Sequence, residues 1–334
     1  MSTYQPPYTI TPEILNLVAA ISEVIGRLTV LTDQTRALRL RRINRVRTIH
    51  GSLAIEGNTL SEAQITAILE GKRVIAPLRE VQEVKNALAA YDRFDSWKPE
   101  SDKDLLEAHG ILMSGLIDEA GSYRQGGVGV MAGSQLIHMA PPADRVPHLM
   151  SDLFGWLAAT DAHSLIASSV FHYEFEFIHP FADGNGRLGR LWQSLILARW
   201  NPLFADIPVE SLIFEHQAEY YQALQESTQK TDSAPFIAFM LRMILDTVTT
   251  STPEVSLEVS PEVRLISVLA GEMTRQQLKE ALGLKDDEHF RKSYLLPALE
   301  TGLIEMTIPD KPRSSKQKYR LTDKGRQMMG QCSG

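Results

Sequence analysis

The sequence contains almost no cysteine: Cys332 is the single thiol in 334 residues. An intrachain disulfide is therefore excluded, which suits a reducing compartment. No apolar run reaches the roughly 18 residues that a membrane-spanning helix needs. Residues 1–12 lack the basic flank and apolar stretch of a secretory signal peptide. These absences exclude disulfide-stapled folds and lead us to expect a cytoplasmic protein with no membrane partner.

The charge of the chain is unevenly distributed. At 334 residues, 43% of them hydrophobic, the chain is expected to form two or three folded domains. Its net charge is −7, but residues 262–330 carry 13 Lys and Arg against 10 Asp and Glu, a net of +3. An acidic body joined to a mildly basic C-terminal segment is compatible with nucleic-acid contact by that segment only.

One stretch, residues 178–190, combines groups that phosphate-ester chemistry needs. It reads Ile-His-Pro-Phe-Ala-Asp-Gly-Asn-Gly-Arg-Leu-Gly-Arg. The side chain of His179 has an ordinary pKa near neutrality and can act as a general base. Pro180 disfavours a helical conformation at residue 179, so a turn is expected there. Asp183 offers a hard carboxylate oxygen that suits a magnesium ion.

The second half of this stretch is suited to binding an anion. Gly184, Asn185 and Gly186 can turn successive backbone N–H groups into one concavity. The helix predicted from about Arg187 to Arg199 would add the positive end of its dipole. Arg187 and Arg190 lie three residues apart, close to one helix face, and their guanidinium forks suit phosphate oxygens. Each feature alone is typical of a turn or a solvated helix, but together they predict a nucleotide-phosphate site.

These residues resemble the signature of the Fic family, His-Pro-Phe-x-(Asp/Glu)-Gly-Asn-Gly-Arg-x-x-Arg, with every fixed position filled. The resemblance implies a mainly α fold, with a Fic-type helical core and a β-hairpin flap. It also implies transfer of AMP from ATP, with Mg²⁺, to a Ser, Thr or Tyr hydroxyl of a target protein. By this resemblance, His179 is the general base and Asp183 is the magnesium ligand. The N–H groups of Gly184, Asn185 and Gly186, with the Asn185 amide, cradle the phosphates. Arg187 contacts the nucleotide phosphates and Arg190 contacts the γ-phosphate.

Residues 52–57 resemble a second Fic motif, (Ser/Thr)-x-x-x-Glu-(Gly/Asn), which many members carry on an inhibitory helix. Ser52 and Glu56 lie four residues apart and so share one helix face, and Gly57 would end that helix. The alternative is an ordinary helix C-terminus with exposed polar groups. The resemblance implies that Glu56 pairs with Arg190 and autoinhibits the enzyme, as in the N-terminally inhibited class of the family.

Residues 126–139 are rich in glycine and inclined to β structure, which predicts a short hairpin in an otherwise helical chain. In Fic proteins a β-hairpin flap at this place clamps the target protein by adding a strand to it, so that backbone groups do the binding. The alternative is an ordinary surface hairpin.

Two neighbouring aromatic residues, Tyr220 and Tyr221, resemble the paired tyrosines that line the adenine pocket in relatives. The alternative is that both are core aromatics of a helix. Relatives often have Asn seven residues after the second tyrosine. This chain has Thr228 there, which puts one nucleotide contact in doubt.

The first segments of the chain are expected to be mostly helical. Residues 1–12 are an arm or a poorly ordered end, and Thr11 and Pro12 are typical of a helix start. Arginines recur through residues 36–47 among apolar side chains. They would bind nucleic acid or, as we expect, meet the acidic body from an amphipathic helix.

The C-terminal segment, residues 262–334, looks like a small winged helix-turn-helix domain, with three short helices before strands at 303–307 and 317–321. Such modules bind DNA but also serve as protein-interaction or dimer-forming platforms, so DNA and a homodimer both stay open. The expected organisation is an N-terminal helical region at 1–100 with the inhibitory helix at about 44–57, a Fic catalytic core at 101–250, a linker at 251–261 and the winged helix at 262–334.

Other functions stay open on the sequence alone. The same site would support hydrolytic removal of AMP, with Glu56 orienting water. The chain would also suit a DNA-binding regulator with a quiescent enzyme core. A different nucleotide or a phosphocholine donor is compatible with the signature, which reads phosphates better than bases, and the target protein cannot be named.

Overall fold

The computed structural model of the chain divides into two compact units, Met1–Thr252 and Pro253–Gly334. The fold class is mainly α, as predicted. No helix among the described residues is long and apolar enough to cross a membrane. The residues that the structure describes are 4–31, 34–132, 135–251, 265–266, 268–269, 271–284, 286–311, 314 and 317–326.

The first unit is a bundle of helices with one hairpin, and residues 1–100 and 101–250 share a single hydrophobic core. Short 3₁₀ turns lie at Phe94–Ser96, Ala143–Arg145 and Pro202–Asp206. The helices, in chain order, are α1 Pro12–Leu31, α2 Gln34–Ile55, α3 Glu62–Leu69, α4 Leu78–Arg93, α5 Asp102–Leu112, α6 Val146–Ala159, α7 Ser164–Ile178, α8 Asn185–Trp200, α9 Val209–Glu215, α10 Gln217–Lys230 and α11 Ala234–Ser251.

The centre of this unit is the pair α7 and α8, which flank the signature loop. Nearly every residue of α7 is buried, and so is most of α8. Gly189 lets the two helices approach closely, because a Cβ there would lie 3.1 Å from both Glu176 and His172. The loop between them is therefore held at both ends by the rigid centre of the core.

The N-terminal residues form a docked arm, one of the two alternatives that the sequence left open. The Tyr4 hydroxyl donates to Glu174 Oε2 at 2.8 Å, and the Ser233 N–H donates to the Pro7 carbonyl at 2.9 Å. α1 begins as predicted: the Ile14 N–H donates to Thr11 Oγ1 at 3.2 Å.

Helix α2 carries the arginine cluster and ends within the second motif, residues 52–57. Three of its arginines pair with acidic groups of neighbouring elements, which agrees with the predicted contact with the acidic body. Gly51 allows α2 to lie directly on α9, because a Cβ there would meet the Glu210 backbone at 2.6 Å. The ion pairs are Arg41 with Asp206 (2.9 Å), Arg42 with Glu70 (3.0 Å) and Arg45 with Asp92 (3.1 Å).

The predicted hairpin is present as two antiparallel strands, β1 Gly129–Ala132 and β2 Gln135–Met139. Gly129 pairs with Met139, and the register shifts after Val130, which marks a bulge.

The second unit has its own small core and a three-stranded sheet. Helices were predicted at 274–282 and 287–301, and helical segments occupy 275–281 and 287–300, while Thr274 lies in a strand. The predicted helix at 263–269 lies partly, and the predicted linker at 251–261 almost wholly, outside the described residues. The sequence missed β3, two residues that are strand only because they pair with β5. The elements are β3 Met273–Thr274, α12 Arg275–Ala281, α13 Asp287–Phe290, a π turn Arg291–Leu295, α14 Leu296–Glu300, β4 Ile304–Met306 and β5 Lys318–Leu321, in the sheet order β3–β5–β4. The winged-helix assignment of this unit stays a prediction.

Candidate active site

His179 ends α7 in a left-handed conformation, with φ 50° and ψ 63°. Its N–H donates to the Phe175 carbonyl at 2.9 Å, and its side chain is one-fifth exposed. The Nδ1 atom lies 3.4 Å from the Glu176 carbonyl oxygen and 3.8 Å from the Glu176 carboxylate. These oxygens favour the tautomer that is protonated at Nδ1, in which Nε2 carries the lone pair that a general base needs.

Asp183 lies at the entrance to α8, where the chain turns. The left-handed Gly184 (φ 86°) precedes the helix, and the Asp183 Oδ1 atom accepts the Gly184 N–H at 2.6 Å. The buried Arg187 donates to the same oxygen at 3.0 Å. The carboxylate thus stays 42% exposed beside the positive end of the α8 dipole.

The Asn185 side chain braces the loop. Its Oδ1 accepts the Phe181 N–H and its Nδ2 donates to the Phe181 carbonyl, both at 2.9 Å. Each bond uses one acceptor site of Oδ1 and one of the two N–H donors of Nδ2, so a phosphate contact by the second N–H stays a prediction. Phe181 packs in the core, with its ring stacked on His109 at 3.7 Å between ring centres.

The structure brings Glu56 and Arg190 together, as the second motif predicted. Arg190 donates from Nη2 to Glu56 Oε1 at 2.8 Å, and from Nε to Ser52 Oγ at 3.2 Å. A Cβ at Gly186 would lie 2.3 Å from Glu56 Oε1. The Glu56 carboxylate therefore lies directly on the first turn of α8, in the space where this helix end would receive an anion.

The two signature arginines, Arg187 and Arg190, contact different elements. Arg187 contacts Asp183 and lies 3.6 Å from Glu83 of α4, whereas Arg190 contacts α2. Both are buried, so each guanidinium depends on these partners. Of these two arginines, Arg190 alone contacts residues 52–57.

The predicted tyrosine pair divides in the structure. Tyr220 is buried, lies 3.2 Å from His172 Nε2 and packs on Phe236, so it belongs to the core. Tyr221 is half-buried, and burial together with the nearby Glu56 carboxylate raises its pKa. Thr228, in the position in doubt, lies 3.2 Å from the Tyr173 hydroxyl. A role of Tyr221 beside adenine stays a prediction.

Arg124 was not singled out by the sequence, yet it holds the loop of His179. It is buried, and its guanidinium donates to the His179 carbonyl at 2.7 Å. It also donates to Gly126 and Pro141 carbonyls at 2.8 and 2.6 Å, on either side of the hairpin. One side chain therefore joins the base-bearing loop to both ends of the predicted flap.

His109 is a second residue that the sequence did not indicate. Its Nδ1 accepts the Gly121 N–H at 2.9 Å, so the proton lies on Nε2, which donates to the Asp183 carbonyl at 3.0 Å. Burial lowers its pKa to about 4. A neutral His109 of fixed tautomer thus supports the backbone of the Asp183 turn.

Asp183 fits a magnesium ion that is bound mainly through a nucleotide. No group of three or more His, Cys, Asp or Glu able to hold a metal occurs in the part of the chain that the structure describes. Mg²⁺ usually takes one or two carboxylates and completes its octahedron with phosphate oxygens and water. A single half-exposed carboxylate beside an anion-binding helix end meets that requirement.

Three carboxyl groups near the site are buried, which favours their neutral form. Burial raises the pKa of Glu176 to about 8 and the pKa values of Glu174 and Glu210 to about 7. A carboxyl whose pKa is raised by folding stabilises the fold below its unfolded pKa, about 4.3, and loses that contribution as the pH rises through the folded value.

Buried histidines act in the opposite sense at lower pH. Burial lowers the pKa of His172 to about 3 and that of His109 to about 4, so both disfavour folding only below their unfolded pKa of about 6.5. Between about pH 6.5 and pH 8, the three buried carboxyl groups are therefore the groups that change the free energy of unfolding. The free energy of unfolding should therefore fall over this range, by on the order of 2 kcal/mol.

Urea unfolding at the two pH values measures this fall. In Glu176→Gln, whose side chain cannot ionise, the fall in the free energy of unfolding should be much smaller than in wild type. Glu219→Gln, at an exposed acid of α10, should keep it. An equal fall in wild type and Glu176→Gln would contradict the assignment.

Comparison with known proteins gives a consistent result. The Fic/DOC family model matches residues 99–197, and the model described as "Filamentation induced by cAMP protein Fic-like, C-terminal domain" matches residues 261–322. A solved Fic family protein from Desulfovibrio desulfuricans is 54% identical, with a TM-score of 0.75, and the match covers 96% of this chain and 99% of that one. Fic-1 of Caenorhabditis elegans is 26% identical with a TM-score of 0.61, over 71% of each chain.

Curated relatives add a named activity. "Protein adenylyltransferase Fic" of Culex quinquefasciatus is 33% identical over 204 residues, which make up 58% of this chain and 38% of that protein. Its namesake from Nematostella vectensis is 32% identical over 205 residues. The chain spans about two fifths of the length of the curated relatives it matches.

Proposed function

The chain belongs to the Fic family, and from this we propose that it transfers AMP from ATP to a Ser, Thr or Tyr hydroxyl of a target protein. The observation that carries the proposal is the loop between α7 and α8. It holds a base, a carboxylate and an anion-binding helix end within eight residues, His179 to Gly186. The relatives named as protein adenylyltransferases support the choice of nucleotide.

In this reaction His179 takes the proton from the attacking hydroxyl through Nε2, because Nδ1 faces the oxygens of Glu176. Arg124 and the α7 C-terminus hold the backbone of His179 in place, so the imidazole needs little reorientation when it accepts the proton. The N–H groups at the start of α8 stabilise the negative charge that develops on the phosphate oxygens.

Asp183 is the residue that would hold magnesium, with Arg187 and Gly184 fixing its carboxylate. When bound, the ion neutralises the pyrophosphate leaving group and orients the nucleotide. Arg187 contributes positive charge to the phosphate site, and Arg190 would bind the γ-phosphate.

We propose that Glu56 autoinhibits this transfer. Its carboxylate lies on the first turn of α8 and engages Arg190, so it competes with the terminal phosphate for both. We expect ATP still to bind in the inhibited state, but with its α-phosphate misaligned for attack.

We also propose that the hairpin of β1 and β2 clamps the target. Strand addition uses backbone groups, so it presents a hydroxyl with little dependence on the target sequence. The contacts of Arg124 with Gly126 and Pro141 hold this hairpin in a fixed relation to His179.

Label transfer from ATP tests the reaction type. The chain, as wild type and as Glu56→Gly, is incubated with a cell lysate and either α-labelled or γ-labelled ATP. We expect protein-bound label from the α position only, and its loss in excess chelator, because magnesium fixes the leaving group. Label from the γ position would indicate phosphotransfer, and undiminished α-label in chelator would contradict a metal-dependent nucleotidyl transfer.

A further inference from the structure

The two oxygens of the Asp183 carboxylate have different partners. Oδ1 accepts bonds from the Gly184 N–H and from Arg187, both parts of the α8 entrance. Oδ2 accepts a bond from Arg79 Nη2 at 3.2 Å. Oδ1 is therefore engaged in hydrogen bonds that hold the α8 entrance. A metal ion that binds Asp183 must compete with Arg79 for Oδ2.

Arg79 is held much less firmly than Arg187. Its side chain is 55% exposed, against 6% for Arg187. It lies in the first turn of α4, where the helix dipole disfavours a cation, so its place depends on the acids that it meets. Its bond to the Leu116 carbonyl is long, at 3.4 Å. Exposed ion pairs of this kind are weak, and the contact with Asp183 is easily exchanged.

We propose that Arg79 is a displaceable counter-ion of the metal-binding carboxylate. It holds Oδ2 of Asp183 in the nucleotide-free protein and leaves that oxygen when a divalent cation binds together with ATP. The inference rests on the proposed function, in which Asp183 is the magnesium ligand. Exchange of one cation for another keeps the carboxylate neutralised throughout, so no unpaired charge arises beside the buried Arg187.

Glu83 gives the released Arg79 a second partner. Its Oε1 atom lies 3.5 Å from Arg79 Nε and 3.6 Å from Arg187 Nη1. Its Oε2 accepts a bond from Asn58 Nδ2 at 2.8 Å, so Glu83 stays in place when Arg79 moves. The released guanidinium therefore remains at the rim of the site, paired with Glu83.

The test compares the affinity for a non-transferable ATP analogue with and without Mn²⁺, measured by calorimetric titration. The ratio of the two affinities gives the contribution of the protein site to Mn²⁺ binding, because chelation of the ion by the free analogue is the same for every variant. Arg79→Ala should bind Mn²⁺ about two- to fivefold more tightly than wild type, because the competing cation is gone. Arg73→Ala removes the same charge from the exposed loop before α4, and it should match wild type. Asp183→Ala defines the contribution of the site itself.

The possible outcomes are distinguishable. Equal affinities for wild type, Arg79→Ala and Arg73→Ala, with weaker binding by Asp183→Ala, would overturn the inference and leave the proposed function intact. Weaker binding by Arg79→Ala would also overturn it, since Arg79 would then assist the metal. Affinity that does not depend on Asp183 would overturn the proposed metal site and the inference with it.

Discussion

Replacing His179 with alanine should lower AMP transfer about 100- to 10,000-fold, the usual effect of removing a general base. The affinity for ATP should change little, because the ring faces Glu176 and no phosphate contact is assigned to it. The loop should also keep its shape, since the bonds that hold residue 179 come from its backbone: its carbonyl accepts Arg124, and its N–H donates to Phe175.

The measurement is the initial rate of label transfer from α-labelled ATP, with nucleotide affinity determined separately by titration of an ATP analogue. His148→Ala, at an exposed histidine of α6, is the matched control and should transfer at the wild-type rate. Near-normal transfer by His179→Ala would show that another group takes the proton. Loss of transfer together with loss of nucleotide binding would place His179 among the phosphate contacts instead.

The sequence predicted those parts of the site whose members are close in the chain or belong to a motif. His179, Asp183 and the glycines of the α8 entrance fall within one short run, and their spacing alone fixes a turn before a helix. The Glu56–Arg190 pair spans 134 positions. The contact between these two residues was predictable only because each belongs to a recognisable family motif. The residues between the two motifs carry no pattern that indicates the contact.

The residues that the sequence missed act through the backbone of distant segments. Arg124 donates to carbonyl oxygens at the hairpin ends and at His179, whereas His109 accepts the Gly121 N–H and donates to the Asp183 carbonyl. Every residue has a carbonyl, so no pattern of side chains identifies these acceptors in advance. Asn185 is a further example: its predicted phosphate contact stays a prediction, and its residue type did not indicate its two bonds to the Phe181 backbone.

The Glu56–Arg190 contact, through which we propose inhibition, depends on how α2 packs. Helix α2 lies on α9 because Gly51 has no side chain, and the helix is anchored further along by Arg41 and its partner Asp206. Its last turn then places Ser52 and Glu56 against Arg190. The Arg190 guanidinium is 1% exposed, so it must find its acceptors within the protein or on a bound nucleotide.

Replacing Glu56 with glycine should therefore raise the rate of AMP transfer about 10- to 100-fold. The change frees Arg190 for the γ-phosphate and removes a carboxylate that would repel the triphosphate from the α8 entrance. One charge-assisted bond to a phosphate contributes roughly 1.5–3 kcal/mol, which corresponds to this range of rates. Arg190 keeps its bonds to the Ser52 carbonyl and hydroxyl, at 2.9 and 3.2 Å, so it stays ordered when Glu56 is gone.

The double variant Glu56→Gly with Arg190→Ala decides whether the two residues act as one unit. If Glu56 inhibits through Arg190, the gain should vanish in the double variant, because the two effects are then not additive. Glu100→Gly removes an acid from another exposed turn and should leave the rate at the wild-type value. The rate is measured as α-label incorporated by the chain itself or by a lysate at saturating ATP. Equal rates for wild type and Glu56→Gly would reduce residues 52–57 to an ordinary helix end. A gain that persists without Arg190 would mean that Glu56 inhibits through its charge at the helix entrance alone.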